Sequence, residues 1–220
     1  MITLVVGESG VGKSSLLIAS AYNAAKSGLK VSYIDAEGNP VEEAIDRLPE
    51  AARRNVNIEH AARGMEALED SVRRLRRLPR DVLSGSLIIV DSVTFHYHSL
   101  IRAAETDDER GRLQSRLETI IYNLHSLAAE SGSAVVVTTW PTSIYDPERD
   151  YVGGFAVKTY TRIQLRMEFT ELDSVRRIRV VKHQDVSKYG SSALIRFEDL
   201  AEAVFKPAGE VIARGSEVMG

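Results

Sequence analysis

Gly7-Glu8-Ser9-Gly10-Val11-Gly12-Lys13-Ser14 is a glycine-rich segment between an apolar run, Ile2–Val6, and a stretch with helical periodicity. The spacing Gly-x4-Gly-Lys-Ser has a mechanical reason. The glycines let the backbone turn so that successive N–H groups point inward at an anion, and the following helix adds its positive N-terminal end. A strand before the segment and a helix after it are the context that a phosphate-binding loop requires, so the segment predicts one.

The residue types in this loop suggest a role for each position. The Lys13 ammonium is expected to reach the β- and γ-phosphates of a nucleoside triphosphate, and the Ser14 hydroxyl to ligate Mg2+. The chain has no Asn-Lys-x-Asp guanine-reading motif, so ATP is the expected nucleotide. The residues predicted to contact it are Gly7, Glu8, Ser9, Gly10, Val11, Gly12, Lys13, Ser14 and Ser15.

Beyond the loop, short β-branched runs alternate with longer helical patterns, which is typical of βαβ units and a parallel sheet. The predicted strands are residues 2–6, 31–35, 56–58, 86–91 and 134–139, and the predicted helices are residues 13–27, 65–78 and 109–130. Three later runs, 161–168, 175–182 and 192–197, alternate apolar and polar residues, which predicts antiparallel strands appended to the core. We therefore expect one α/β domain over residues 1–220, a P-loop NTPase with a mainly parallel central sheet, helices on both faces and antiparallel C-terminal strands.

Two acidic residues follow predicted strands whose carboxyl ends point to the same edge of the sheet as the loop. Asp91 ends an apolar strand, where open α/β sheets bind ligands, so it is the candidate to hold Mg2+ beside Ser14, through a water. Glu37 lies just outside its strand and could orient and deprotonate an attacking water. Asp35 is the competing carboxylate for that role.

Further segments extend the pattern over nearly the whole chain. They are Tyr-Ile-Asp-Ala-Glu-Gly at 33–38, Val-Asp-Ser-Val-Thr-Phe-His-Tyr at 90–97, Ala-Val-Val-Val-Thr-Thr at 134–139, Gly-Gly at 153–154 and Thr-Arg-Ile-Gln-Leu at 161–165. With the loop at 7–15, they resemble the RecA/RadA recombinase ATPases, most closely the archaeal RadB-type paralogs of RadA. The resemblance implies a RecA-like ATPase with Glu37 and Lys13 as catalytic residues. It also implies an accessory role in DNA recombination and repair, with single-stranded DNA, a RadA-type recombinase or another paralog as partner.

The chain departs from the family pattern in two places. The first strand begins at Ile2, so we expect no N-terminal DNA-binding domain. Thr139-Trp140 stands where the family has an Asn-Gln pair whose glutamine senses the γ-phosphate, and an indole cannot make the hydrogen bonds of that amide. Two interpretations of Trp140 stay open: it packs in the core, or it stacks on a DNA base.

The resemblance places two DNA-contacting loops at residues 101–116 and 141–155. The candidate contacts in the first are Arg102, Arg110 and Arg112, among acidic residues that nearly cancel their charge. In the second they are Trp140, Tyr145 and Arg149, since arginine interleaved with aromatic residues suits single-strand stacking. A solvated loop is the alternative interpretation in both places.

Lys182 ends a late strand at a position that resembles one reaching a neighbouring subunit's nucleotide in RecA-like assemblies. Gln184 replaces the arginine that is common there in the KaiC-like branch. A homo-oligomer is therefore a further expectation, and a KaiC-like regulatory ATPase working through its oligomer is an alternative function. A third alternative is a nucleotide-gated binding module with little hydrolysis, because Trp140 and Gln184 replace the expected residues.

Composition sets outer limits on function. The net charge of −3 argues against a chain that binds nucleic acid through overall positive charge, and the absence of cysteine excludes disulfides and thiolate metal sites. No apolar run approaches the length of a membrane span, and the N-terminus lacks the features of a signal peptide. We expect a cytoplasmic protein with no membrane partner.

Overall fold

The computed structural model describes residues 1–142 and 151–199 and contains one eight-stranded sheet in the order β3-β2-β4-β5-β1-β6-β7-β8. The strands are β1 (Ile2–Val6), β2 (Val31–Asp35), β3 (Val56–His60), β4 (Leu87–Asp91), β5 (Ala134–Thr139), β6 (Ile163–Phe169), β7 (Val175–Lys182) and β8 (Ser192–Arg196). Strands β1 to β5 were all predicted. Their β-branched side chains suit strands that are buried on both faces.

Strands β1 to β6 pair parallel with one another, whereas β7 pairs antiparallel with both β6 and β8. The expectation that the strand near 161–168 is antiparallel was therefore wrong with respect to β1, because β6 runs parallel to it. The helix Gly154–Tyr160 carries the chain from β5 back over the sheet, and such a crossover makes the next strand parallel. The antiparallel C-terminal extension is confirmed for β7 and β8.

Helices cover both faces of the sheet, as predicted. They are α1 (Lys13–Lys26), α2 (Val41–Ile45), α3 (Glu50–Arg53), α4 (Met65–Arg77), α5 (Arg80–Leu83), α6 (Phe95–Ala103), α7 (Asp107–Ser131) and α8 (Gly154–Tyr160), with a 3-10 turn at Val186–Lys188. The side chains of successive residues in β4 point to opposite faces of the sheet. Ile88 and Val90 pack in a core with α4 and α7, whereas Ile89 packs with α1 and α2.

The segment 101–116, expected to be a DNA-contacting loop, is largely helical. It contains the end of α6 and the first turns of α7, joined by a short connection. Helix α7 begins with a capping box: the Thr106 hydroxyl accepts a hydrogen bond from the Glu109 backbone N–H, and the Glu109 carboxylate accepts one from the Thr106 backbone N–H. The acidic residues of this segment therefore stabilise a helix start.

In the part of the chain that the structure describes, no helix combines the length and the apolar character needed to cross a membrane.

Candidate functional site

The phosphate-binding loop joins β1 to α1 at the carboxyl edge of the sheet. Gly10 and Gly12 have φ angles of 75° and 100°, the left-handed region that glycine adopts without strain. A Cβ atom at Gly12 would also collide with the ring of Phe197. Two physical demands, a left-handed turn and a close approach, thus require glycine in the middle of the motif.

Lys13 lies inside the loop and is buried. Its ammonium donates hydrogen bonds to the carbonyl oxygens of Gly7 and Glu8, at 2.8 Å and 2.9 Å. Burial lowers the pKa of Lys13, and the carboxylates of Glu37, Asp91 and Glu8 oppose that shift. The carboxylates favour the charged form of the ammonium, and its neutral carbonyl partners can be replaced by an anion, which makes stronger hydrogen bonds.

Asp91 ends β4 and is fully buried. Its Oδ1 accepts a 2.6 Å hydrogen bond from the Thr138 hydroxyl, and its Oδ2 accepts from the Tyr33 hydroxyl at 3.0 Å and the Asn39 amide at 3.2 Å. Burial, together with the Asp91 carboxylate, raises the pKa of Tyr33 well above its ordinary value, so the phenol stays protonated and remains a donor. A carboxylate has about four lone-pair sites, so three partners leave room for one more, such as a metal-bound water.

Asp35 is fully buried and is engaged through one of its two oxygens, while Oδ2 has no hydrogen-bond partner. Its Oδ1 accepts hydrogen bonds from the backbone N–H groups of Glu37 and Gly38 and from the Asn39 amide, at 3.1 Å, 3.0 Å and 3.3 Å. It therefore fixes the turn that carries Glu37. This arrangement separates the two acidic candidates: Asp35 shapes the turn, and Glu37 is presented by it.

The carboxyl group of Glu37 has a strongly raised pKa. Burial raises its pKa to about 7, and the carboxylates of Asp91 and Asp35 add to the shift, whereas Lys13 and a hydrogen bond from Ser92 oppose it. Its Oε1 atom is buried without a hydrogen-bond partner. A buried acceptor with a raised pKa and an unused oxygen has the properties of a general base.

These residues suit a bound Mg2+ ion. Mg2+ prefers oxygen ligands and keeps several waters, so it needs few protein ligands. Ser14 offers a half-buried hydroxyl at the start of α1, and Asp91 offers its remaining lone pair. Among the described residues no group of three or more His, Asp and Glu side chains is arranged to hold a metal by itself.

A cleft of about 290 Å3 opens beside the loop. It is lined by Gly7, Glu8, Pro141, Arg166, Met167, Glu168 and Phe169. Its walls come from the ends of β1, β5 and β6, which puts it at the carboxyl edge of the parallel strands, where ligands of open α/β sheets bind.

Arg176, on β7, contacts the phosphate-binding loop although it lies outside the motif. No sequence pattern predicts this contact. Its Nε donates a 3.1 Å hydrogen bond to the Val11 carbonyl oxygen. Its guanidinium carbon lies 4.6 Å from the ring centroids of both Phe169 and Phe197. This contact joins residues 165 positions apart, so no local pattern could have revealed it.

The predicted DNA contacts of the first segment lie on helices. Arg102 and Arg112 are exposed on α6 and α7, and Arg110 is held by the Asp107 carboxylate at 3.0 Å and by the Ala104 carbonyl oxygen. Tyr145 and Arg149 lie outside the described residues. The arginines of the first segment thus sit on helices beside acidic residues and do not form a basic loop.

Trp140 packs against the main core, partly buried. Its ring makes edge-to-face contacts with Phe95 and His98, with centroids 5.7 Å and 5.6 Å apart. Lys182 is also engaged, because its ammonium donates to the carbonyl oxygens of Lys158 and Thr161, at 2.9 Å and 2.7 Å, near the end of α8. Both residues have structural partners within the chain.

No protein-family model matches the chain. The DNA repair and recombination protein RadB of Thermoplasma acidophilum is 30% identical over 207 residues, covering 90% of this chain and 83% of that protein. RadB of Methanococcoides burtonii is 29% identical, covering 84% and 80%, and RadB of Methanocaldococcus jannaschii is 31% identical, covering 70% and 69%. A crystal structure of the RadB recombinase has a TM-score of 0.68 at 21% identity, covering 89% of this chain and 86% of that one. The RecA-like fold is thereby confirmed.

Proposed function

The chain belongs to the family of RadB DNA repair and recombination proteins, and from that premise we propose that it is a Mg2+-dependent ATPase acting in DNA recombination and repair. One observation carries the proposal: Lys13, Glu37 and Asp91 converge at the carboxyl edge of the sheet closely enough for each to affect the ionisation of another. A glycine-rich turn alone would bind phosphate. A base and a magnesium carboxylate beside it suit hydrolysis.

The loop binds the triphosphate in this proposal. Its backbone N–H groups and the N-terminus of α1 surround the phosphate oxygens. Lys13 exchanges the neutral carbonyl oxygens of Gly7 and Glu8 for anionic phosphate oxygens, which make stronger hydrogen bonds. Ser14 and Asp91 would hold Mg2+, which would neutralise charge on the phosphate oxygens.

Glu37 prepares the attacking water. Its Oε1, which is buried without a hydrogen-bond partner, would accept the water's proton. The raised pKa makes the carboxylate a stronger base than an exposed glutamate. Asp35 keeps the turn in place through the Glu37 and Gly38 backbone N–H groups.

For the partner we propose single-stranded DNA or a RadA-type recombinase, with the chain as an accessory. The relatives are DNA repair and recombination proteins, which supports a partner in that process. The alternative of a KaiC-like regulatory ATPase rests on Lys182, whose ammonium is occupied within the chain. A nucleotide-gated module with little hydrolysis remains the second candidate, because Trp140 packs on Phe95 and His98 and has no amide with which to sense the γ-phosphate.

An ATPase assay with Mg2+, with and without a single-stranded oligonucleotide, tests the proposal. We expect phosphate release above the level of the Lys13→Ala protein. Fluorescence anisotropy of the labelled oligonucleotide over a salt series measures DNA binding, which should weaken as salt rises. ATP binding without phosphate release would favour the binding module over the ATPase.

Two further measurements distinguish DNA, a recombinase and a second copy of the chain as candidate partners. Absence of salt-sensitive oligonucleotide binding at low ionic strength would remove DNA as a direct ligand and leave a RadA-type recombinase, tested by co-elution with the purified recombinase. Hydrolysis that rises with protein concentration, together with a nucleotide-dependent change of size in solution, would instead support the oligomeric alternative.

A further inference from the structure

Two buried carboxylates lie directly beside each other at the carboxyl edge of the sheet. Asp35 on β2 and Asp91 on β4 are register partners, and both are fully buried. Like charges in directly opposed positions of neighbouring strands are unfavourable, and burial strengthens the repulsion. A donor between them is therefore expected.

Asn39 supplies that donor. Its amide nitrogen lies 3.3 Å from Oδ1 of Asp35 and 3.2 Å from Oδ2 of Asp91. An amide has two N–H donors, so it can satisfy both carboxylates at once. A cation here would neutralise Asp91 and compete with Mg2+, and a carboxylate would add a further negative charge, so a neutral side chain with two donors suits the position.

Through Asp35, the same amide is connected to the turn that presents Glu37. Oδ1 of Asp35, which accepts from Asn39, also accepts the Glu37 and Gly38 backbone N–H groups. Asn39 therefore touches the proposed magnesium carboxylate on one side and the carboxylate that orients the proposed base on the other.

The other side of Asp35 faces the edge strand. His60 on β3 is its register partner, with Nδ1 at 3.5 Å from Oδ2 of Asp35, the separation of an ion pair and too long for a well-formed hydrogen bond. The opposite ring nitrogen of His60 contacts the Glu42 carboxylate on α2. A row of polar side chains thus runs from the surface at Glu42 through His60, Asp35 and Asn39 to Asp91.

We propose that Asn39 is a positioning residue that sets the distance between Asp91 and the Glu37 turn, with His60 as its outer support. This inference rests on the proposed function, because the role assigned to Asn39 is to help hold Mg2+ together with the nucleotide. Loss of the amide leaves Asp35 and Asp91 adjacent without a shared donor, so both shift and the magnesium position is lost before the phosphate contacts of Lys13 are affected.

The test is a Mg2+ titration of the full chain with a slowly hydrolysed ATP analogue, using calorimetry to measure binding. Asn39→Ala should raise the half-saturating Mg2+ concentration about 10-fold, the size typical for groups that orient metal ligands. Affinity for the analogue without Mg2+ should change little. Asn57→Ala, which removes an exposed asparagine from β3, is the matched control and should behave as wild type.

The melting temperatures of the ligand-free proteins distinguish a positioning role of Asn39 from a general contribution to packing. A lower melting temperature in Asn39→Ala with an unchanged Mg2+ midpoint would overturn the proposal. If Asn39→Ala does not fold, Asn39→Ser replaces it, and its single donor should give a smaller shift in the same direction; an unshifted midpoint overturns the proposal equally. Wild-type binding that is independent of Mg2+ would refute the proposed function itself, which distinguishes the two failures.

Discussion

Nε of Arg176 donates a 3.1 Å hydrogen bond to the carbonyl oxygen of Val11, so the antiparallel end of the sheet is attached to the phosphate-binding loop. The arginine is 7% exposed, and its second nitrogen, Nη1, donates to the carbonyl oxygens of Asp173 and Val175. The guanidinium is thus fixed on its own strand before it reaches the loop. The C-terminal strands therefore support the glycine-rich loop that is the proposed nucleotide site.

Arg176→Ala should weaken both the fold and nucleotide binding. The change removes three hydrogen bonds and the packing between two phenyl rings, a loss of about 3 kcal/mol in the free energy of unfolding. Nucleotide affinity should fall about 10-fold because the loop is no longer held at Val11. Urea denaturation and a nucleotide titration measure the two effects.

The matched control is Arg177→Ala, an exposed arginine on the opposite face of β7. Its free energy of unfolding should stay within about 0.5 kcal/mol of wild type. A destabilised Arg176→Ala protein with unchanged nucleotide affinity would show that the contact supports the fold without shaping the loop.

Lys13→Ala should weaken nucleotide binding itself. The lysine is the charged donor inside the loop, and charge-assisted hydrogen bonds of this kind contribute about 10- to 100-fold in affinity. Lys26→Ala, at the exposed end of the same helix, serves as the control. Equal affinities for the two variants would mean that the ammonium stays on the Gly7 and Glu8 carbonyl oxygens when nucleotide is present.

Glu37→Gln should separate binding from turnover. The amide keeps the size of the side chain but cannot accept a proton, so turnover should fall by about 100-fold or more while nucleotide affinity is retained. Glu43→Gln, an exposed change on α2, should leave both unchanged. Turnover that survives in Glu37→Gln would assign the base elsewhere.

The parallel core and the site motifs could be predicted because both are local. Buried parallel strands require continuous β-branched runs, and the phosphate-binding loop is a short contiguous segment. Strand direction is different, because alternation of apolar and polar residues reports which face is buried and carries no information on orientation. Strand β6 was therefore misassigned as antiparallel to the core, although its range was correct within two residues.

The parts of the site that were missed depend on contacts between distant residues. Asn39 is an ordinary loop residue until the register of β2 and β4 places Asp35 beside Asp91. In the same way, the sequence shows that arginines and acidic residues are interspersed near 101–116, but only the fold shows that Asp107 pairs with Arg110 at the start of α7. The spacing of residues in the sequence identified the candidate side chains, and the fold determines which of these side chains are in contact.

Trp140→Ala should be a stability variant. The indole packs against the core and contacts Phe95 and His98, so its removal should cost about 3 kcal/mol in the free energy of unfolding. Trp140→Phe, which keeps an aromatic ring, should recover part of that loss. Oligonucleotide affinity that falls sharply in Trp140→Phe, with little loss of stability, would instead support base stacking.

The ionisation of Glu37 should make the stability of the ligand-free protein depend on pH. Burial and the neighbouring carboxylates raise its pKa from 4.5 to about 7 in the folded state. Between these values the folded chain keeps a proton that the unfolded chain has lost, so stability should fall as pH rises from 4.5 to 7 and then level off. At pH 8, the free energy of unfolding of Glu37→Gln should exceed that of wild type by on the order of 2 kcal/mol, with little difference at pH 4.5.

Urea denaturation at both pH values measures this difference. The control is Glu43→Gln, whose side chain is exposed and whose stability should depend on pH as that of wild type does. If the stability of Glu37→Gln depended on pH in the same way as that of wild type, Glu37 would have an ordinary pKa. The carboxylate would then become a stronger base only when nucleotide and Mg2+ are bound.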